Sequence, residues 1–113
     1  MNYEIITTKT FKRDFKPLFK KYHSLIDDLE QLKNELLKNP EIGTDLGSNT
    51  RKIRMAVSSK NKGKSGGARV IACDVVVDFN NTDIYLITIY DKSEQDTITQ
   101  KQILQLKQEN GLI

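Results

Sequence analysis

Hydrophobic positions change their period several times along the chain, and each change marks a predicted element. Tyr3 to Thr7, reading YEIIT, is a short β-favouring run and predicts an opening strand. Phe11, Phe15, Leu18, Phe19 and Tyr22 then recur at helical spacing, the stripe of an amphipathic helix. Pro17 lies inside that stripe. A proline there removes a backbone hydrogen bond at a cost of ~3 kcal/mol, which predicts a kink near Lys16 or a fresh helical start at Pro17. Leu25, Leu29, Leu32 and Leu36 mark one face of a second helix, with Ser24 as its N-cap, Asp27 three residues on, and Asn39-Pro40 as its stop. The two helices form a hairpin joined near His23, which reads as a turn residue.

Beyond the hairpin the period falls to two. Residues 41 to 50, EIGTDLGSNT, carry two glycines and several turn formers and predict a loop. In RKIRMAV, Ile53, Met55 and Val57 alternate with Lys52, Arg54 and Ala56, so one face packs and the other is cationic. A polar connection, SSKNKGKSGGA, leads into RVIACDVVVDF, a long strand with Ile71, Cys73, Val75, Val77 and Phe79 on one face. Asn80-Asn81-Thr82 turns the chain into DIYLITIYD, apolar on both faces as a central strand is. Ser93 or Thr97 is the expected cap of a last, polar helix carrying Ile98, Ile103, Leu104 and Leu106 and ending before Gly111. The order β-α-α-β-β-β-α predicts one α+β domain over residues 1–113. Its sheet is expected to be four-stranded and mainly antiparallel, with an N-terminal helical hairpin and a C-terminal helix.

Composition agrees with one core: of 113 residues, 37% are hydrophobic and 29% charged. MNYEIITTKTF lacks the apolar run of a secretory leader, and no apolar run nears the ~20 residues that span a bilayer. The expectation is a cytoplasmic protein without a membrane partner. The lone Cys73 reads as a small core residue, and with a single His23 the sequence predicts neither a metal site nor a cofactor.

Charge changes the picture more. The net value is only +3, yet Arg51, Lys52, Arg54, Lys60, Lys62, Lys64 and Arg69 follow one another with no Asp or Glu between them. A second basic concentration, Lys9 to Lys21, contains Asp14 alone as an acid. A solvated face accounts well for the second. For the first, running through strand, loop and next strand, a polyanionic partner is the plainer explanation, because within a Debye length of ~8 Å the local field matters more than the total charge. The loop is not a nucleotide-binding phosphate loop: GKSGG lacks the spacing of GxxxxGK[ST], and a strand follows it where a helix is required.

RKIRMAV, GKSGGARVI and LITIYDKSE, behind a helical pair with NELLKNPEIG between, resemble the RelE/HigB-like toxins of bacterial type II toxin–antitoxin systems, most closely the HigB-like branch. The resemblance covers nearly the whole chain. It implies a RelE-like fold and a ribosome-dependent endoribonuclease, an mRNA interferase that cuts mRNA in the decoding site and so inhibits translation. It also implies a cognate antitoxin, often with a helix-turn-helix domain, so that the expected partners are antitoxin, ribosome and mRNA. Lys52, Arg54 and Arg69 resemble the family's cationic centre, and Lys92 lies where related toxins carry another basic residue.

The residue types suit the chemistry. Metal-independent RNA cleavage has the ribose 2′-hydroxyl attack the adjacent phosphate, and preorganised cations stabilise the charge that builds up there, each well-placed donor contributing ~3–4 kcal/mol. Arginine adds a planar fork that matches two phosphate oxygens. Tyr90 is expected to stack on a base, to position a proton, or to be a core aromatic at a strand end. Arg51, Lys60, Lys62 and Lys64 are the expected RNA-phosphate contacts. No general base is assigned: QDTITQ places Ile98 where several related enzymes carry a tyrosine, and an unperturbed lysine, with a pKa of ~10.4, is a poor base at neutral pH. Arg69 also shares strand parity with the apolar Ile71 face, so a bulge, a twist or its place at the strand end must turn it outward. Two other readings remain: a ParE-like toxin that inhibits DNA gyrase without nuclease activity, and a basic RNA-binding module that cuts nothing.

Overall fold

The computed structural model describes residues 1–95 and 97–113. Strand β1 (Asn2–Thr7) leads into helices α1 (Lys9–Lys21) and α2 (Leu25–Lys38). Strands β2 (Thr44–Gly47), β3 (Thr50–Met55), β4 (Ala68–Asp78) and β5 (Asn81–Asp91) follow, then helix α3 (Gln100–Glu109). The strands form one sheet in the order β1-β5-β4-β3-β2, with β1 parallel to β5 and the other neighbours antiparallel. The α+β class stands as expected.

The sheet has five strands, not four, because β2 lies within the stretch read as a loop. Ser48 and Asn49, at φ 50° and 62°, make a left-handed turn that folds β2 directly back on β3. A turn of that hand matches strand twist, and Asn and the neighbouring Gly47 tolerate it. Leu46 alone anchors the short strand, packing against the core under α3.

Helix α1 runs unbroken through Pro17, so the chain makes no fresh helical start there. Pro17 sits on the exposed side, where water can replace the lost bond, while Phe11 and Leu18 are buried on the other. The first turn of α1 also does the work of a strand. β1 pairs with β5 only as far as Leu86. Beyond it, Thr8 donates to the Leu86 carbonyl through both N–H and Oγ1, at 3.1 and 2.9 Å, and Thr10 Oγ1 donates to the Ile87 carbonyl at 2.6 Å.

Two expected caps differ. Ser24 stands at the N-cap of α2, but its hydroxyl donates to Asp28 (2.7 Å) and accepts from the Ser59 N–H (2.9 Å), and it caps no N–H of the helix. Thr99, not Ser93 or Thr97, caps α3 in a reciprocal box: Thr99 Oγ1 accepts from the Gln102 N–H and Gln102 Oε1 from the Thr99 N–H. Ile98 therefore precedes the helix, at the position from which a hydrophobic staple reaches Ile103.

The sheet is the middle of three layers. Phe11, Leu18, Leu25, Leu29, Leu32 and Leu36 of α1 and α2 pack on Ile53, Met55, Val70, Ala72, Leu86 and Ile89. On the opposite face, Ile98, Leu106 and Leu112 pack on Ile71, Cys73, Ile87 and Tyr90. No helix among the described residues is long and apolar enough to cross a membrane.

Candidate nucleic-acid interface

Antiparallel register places the candidate residues in rows across the sheet. Arg54 of β3 lies opposite Arg69 of β4, which lies opposite Tyr90 of β5. In the same ladders Lys52 lies opposite Ile71, and Ile71 opposite Thr88. Residues facing one another across a pair project to the same side, so Lys52, Arg54, Arg69 and Tyr90 share the face that α3 partly covers. Arg51 alternates to the other face, where its guanidinium donates to the Glu41 carbonyl at 3.0 Å and faces Asp74.

No bulge turns Arg69 outward. It is 5% exposed, and its guanidinium turns back on the preceding loop, donating to the carbonyls of Lys64, Ser65 and Ala68 at 3.0, 3.0 and 3.2 Å. An arginine so engaged holds the loop in shape, because its planar fork satisfies several backbone acceptors at once. Gly67 fixes the loop at the same point. A Cβ there would lie 2.0 Å from the Met55 carbonyl oxygen, so only glycine lets the returning chain press against β3.

The three loop lysines have three different surroundings. Lys60 is buried: its ammonium lies 2.7 Å from Asp91 Oδ1, with the two side chains 7% and 1% exposed, and 3.4 Å from the Gly67 carbonyl. Asp91 also accepts from the Tyr22 hydroxyl (2.7 Å) and from the Ser93 N–H and hydroxyl (3.0 and 2.8 Å). Burial alone would raise the Asp91 carboxyl; the hydrogen bonds from Lys60, Tyr22 and Ser93 outweigh it and hold the group well below the usual carboxylate range. Lys64 forms an exposed pair with Glu35 of α2 at 2.9 Å. Lys62 is exposed, and with Lys60, Ser65, Gly66, Lys92 and Ser93 it lines an open cleft of about 380 Å³. The Lys92 N–H donates to the Gly67 carbonyl (3.2 Å), which ties the turn after β5 to the end of the loop.

Of the sequence-predicted residues, Lys62 and Lys92 therefore meet at one cleft, with Ser65 and Ser93 beside them. Arg54 is exposed at the open edge of β3, beside a smaller cleft shared with Gln31, Glu35 and Lys64. Lys52 is half-buried. Tyr90 is core: its ring belongs to the cluster under α3 and, with Thr88, Ile98 and Leu106, lines a groove of about 230 Å³.

Sequence reasoning missed the residues that hold the loop's base. Asp28, 3% exposed, accepts from the Ser24 hydroxyl (2.7 Å) and from the Ser58 N–H and hydroxyl (3.0 and 2.6 Å), and Ser59 bonds Ser24. This pins the single 3-10 turn Ser58–Lys60 to α2. A signal for Asp91 was present: an aspartate at the end of LITIYD with serine two residues on is a side-chain turn motif. Among the described residues no group of His, Cys, Asp or Glu converges as a metal site. No family model matches the chain.

Proposed function

We propose that the protein is an RNA-cleaving toxin of RelE/HigB type, a ribosome-dependent endoribonuclease that acts on mRNA in the cytoplasm and is restrained by a cognate antitoxin. The observation that supports this reading is the meeting of Lys62 and Lys92, from separate parts of the chain, at one open cleft that Ser65 also lines. Two exposed ammonium groups and the Ser65 hydroxyl suit consecutive phosphates of a single strand, which need charge and donors but no sequence readout.

In this proposal the 2′-oxygen of one ribose attacks the adjacent phosphorus, its proton passes to a base, and the P–O5′ bond breaks with a proton delivered to the departing oxygen. The products are a 2′,3′-cyclic phosphate and a 5′-hydroxyl. Arg54 and Lys52 stabilise the charge on the phosphorane-like transition state, Lys62 and Lys92 hold flanking phosphates, and Arg69 acts as a positioning residue through the loop. The ribosome sets the geometry of the attack.

The test is induction of the chain in cells, with mapping of mRNA ends on ribosomes. Growth should arrest, and new 5′ ends should fall in phase with codons. The Lys62→Ala, Lys92→Ala double variant should melt like the parent while cleavage at sub-saturating substrate falls by at least about tenfold, through the loss of two phosphate contacts. Arrest with intact ribosome-bound mRNA refutes the nuclease reading, and trapped gyrase–DNA complexes in its place would establish the ParE-like one.

A further inference from the structure

The far end of the β4–β5 hairpin has the opposite chemistry. Both strands run eleven residues, but β3 covers β4 only as far as Cys73. The Asp74 N–H then donates to the Asn49 carbonyl at 2.9 Å, toward the β3 side. Backbone groups on one side of a strand recur every second residue, so the N–H and C=O of Val76 continue that outward set beyond the last neighbouring chain. The side chains there are apolar and uncovered: Val76 is 72% exposed, Val77 58% and Phe79 92%.

Edge strands are ordinarily blunted by lysine, proline or a covering segment. This one carries aspartate. From Val70 to Asp91 the chain has no Lys or Arg, and Asp74, Asp78 and Asp83 lie along the projecting hairpin, with exposed Glu4 of β1 in register beside Asp83. Such a field repels nucleic acid and anionic membranes. It also opposes self-pairing. β4 shifts register against β5 between Val76 and Asp78, so an antiparallel match of two copies about Val76 would bring Asp74 of each near, not squarely opposite, Asp78 of the other, and like charges brought together in this way destabilise a strand pair.

We propose that the outer edge of β4, from Asp74 to Asp78, is a docking site for one extended strand of another protein, apolar at the positions facing Val76 and Val77 and basic at its flanks. The strand adds to the sheet next to β4, taking up the outward backbone groups of Val76, while its cations face Asp74 and Asp78. This site lies at the opposite end of β4 from Arg69 and does not depend on the proposed nuclease activity.

A short peptide with two central Val residues flanked on both sides by Lys, compared with the same peptide flanked by Glu, tests the proposal by amide hydrogen exchange and NMR shifts on the full chain. The Lys peptide should bind at least about tenfold more tightly, lose affinity as salt is added, and protect the Val76 amide from exchange. Val76→Pro removes the outward N–H at a position where an edge strand tolerates proline, and it should keep the fold and lose the peptide. Val77→Ser is the second variant; it leaves the backbone alone and should weaken binding. Equal binding of the two peptides, or binding without protection of Val76, overturns the proposal. Concentration-dependent protection of Val76 in the protein alone also overturns it, and assigns the edge to a second copy.

Discussion

Lys60 and Arg69 belong to the same basic run as Lys62, yet neither ends in solvent, and burial is what separates their roles. Removing one partner of a buried pair leaves the other charge uncompensated, so Lys60→Ala should cost about 3 kcal/mol or more in urea unfolding, whereas Lys62→Ala should cost almost nothing. The pair also sets an acid limit. Because the folded Asp91 carboxyl is depressed, the stability it confers is present above the unfolded aspartate value of ~3.9 and is lost as pH falls from there toward the folded value. Unfolding free energies measured between about pH 2 and 6 should fall on the acid side for the parent and fall less steeply for Asp91→Asn, which starts lower. An equal acid slope in both would show that other carboxylates govern it. Charge type was legible in the sequence; which ammonium is committed was not, because Lys60 and Lys62 differ only in what Asp91 and Tyr22, distant in sequence, bring to them.

The glycine-rich connection behaves as an element in its own right, although it has no regular structure beyond one 3-10 turn. Asp28 and Ser24 hold its start, Lys60 and Asp91 its middle, and Arg69 with Gly67 its end. Gly67→Ala forces a Cβ toward the Met55 carbonyl and should displace the loop from β3, lowering the melting temperature by several degrees if the loss is about 1–2 kcal/mol. Arg69→Ala leaves β4 paired but frees the Lys64 and Ser65 carbonyls, so amide exchange from Lys64 to Gly67 should quicken while the strand amides stay protected. Unchanged loop exchange in Arg69→Ala would return the guanidinium to a direct catalytic role. Most elements were readable from period alone, since β3, β5 and the α1–α2 pair bury the stripes their spacing marks; β4 buries only Ile71 and Cys73 of its expected stripe and leaves Val77 and Phe79 exposed, because the hairpin runs on past the neighbouring strand and the helices. β2 was not, because four residues with one anchoring leucine carry no period, and its existence depends on the Ser48-Asn49 turn. The α3 start was misplaced for a related reason: Ser93 is spent on Asp91, which leaves Thr99 to cap.

At the scale of the whole molecule, β4 and β5 join two ends of opposite chemistry, a cationic end where Lys62 and Lys92 meet and an acidic, apolar tip at Val76 to Phe79. A chain of net charge +3 with this separation should bind a single-stranded polyanion at one end only, and few phosphates at a time. Counterion release makes the consequence measurable, because each phosphate neutralised on a single strand contributes about −0.7 to the slope of log K against log salt. If Lys62, Lys92, Arg54 and Lys52 each meet one phosphate, the parent slope should be about −3, and Lys62→Ala and Lys92→Ala should each reduce its magnitude by about 0.7. Lys64→Ala separates contact from structure: its ammonium is paired with Glu35, so the slope should hardly change unless RNA displaces that exposed pair. A parent slope near zero would remove RNA from the basic end altogether, and with it the role proposed for the cleft where Lys62 and Lys92 meet.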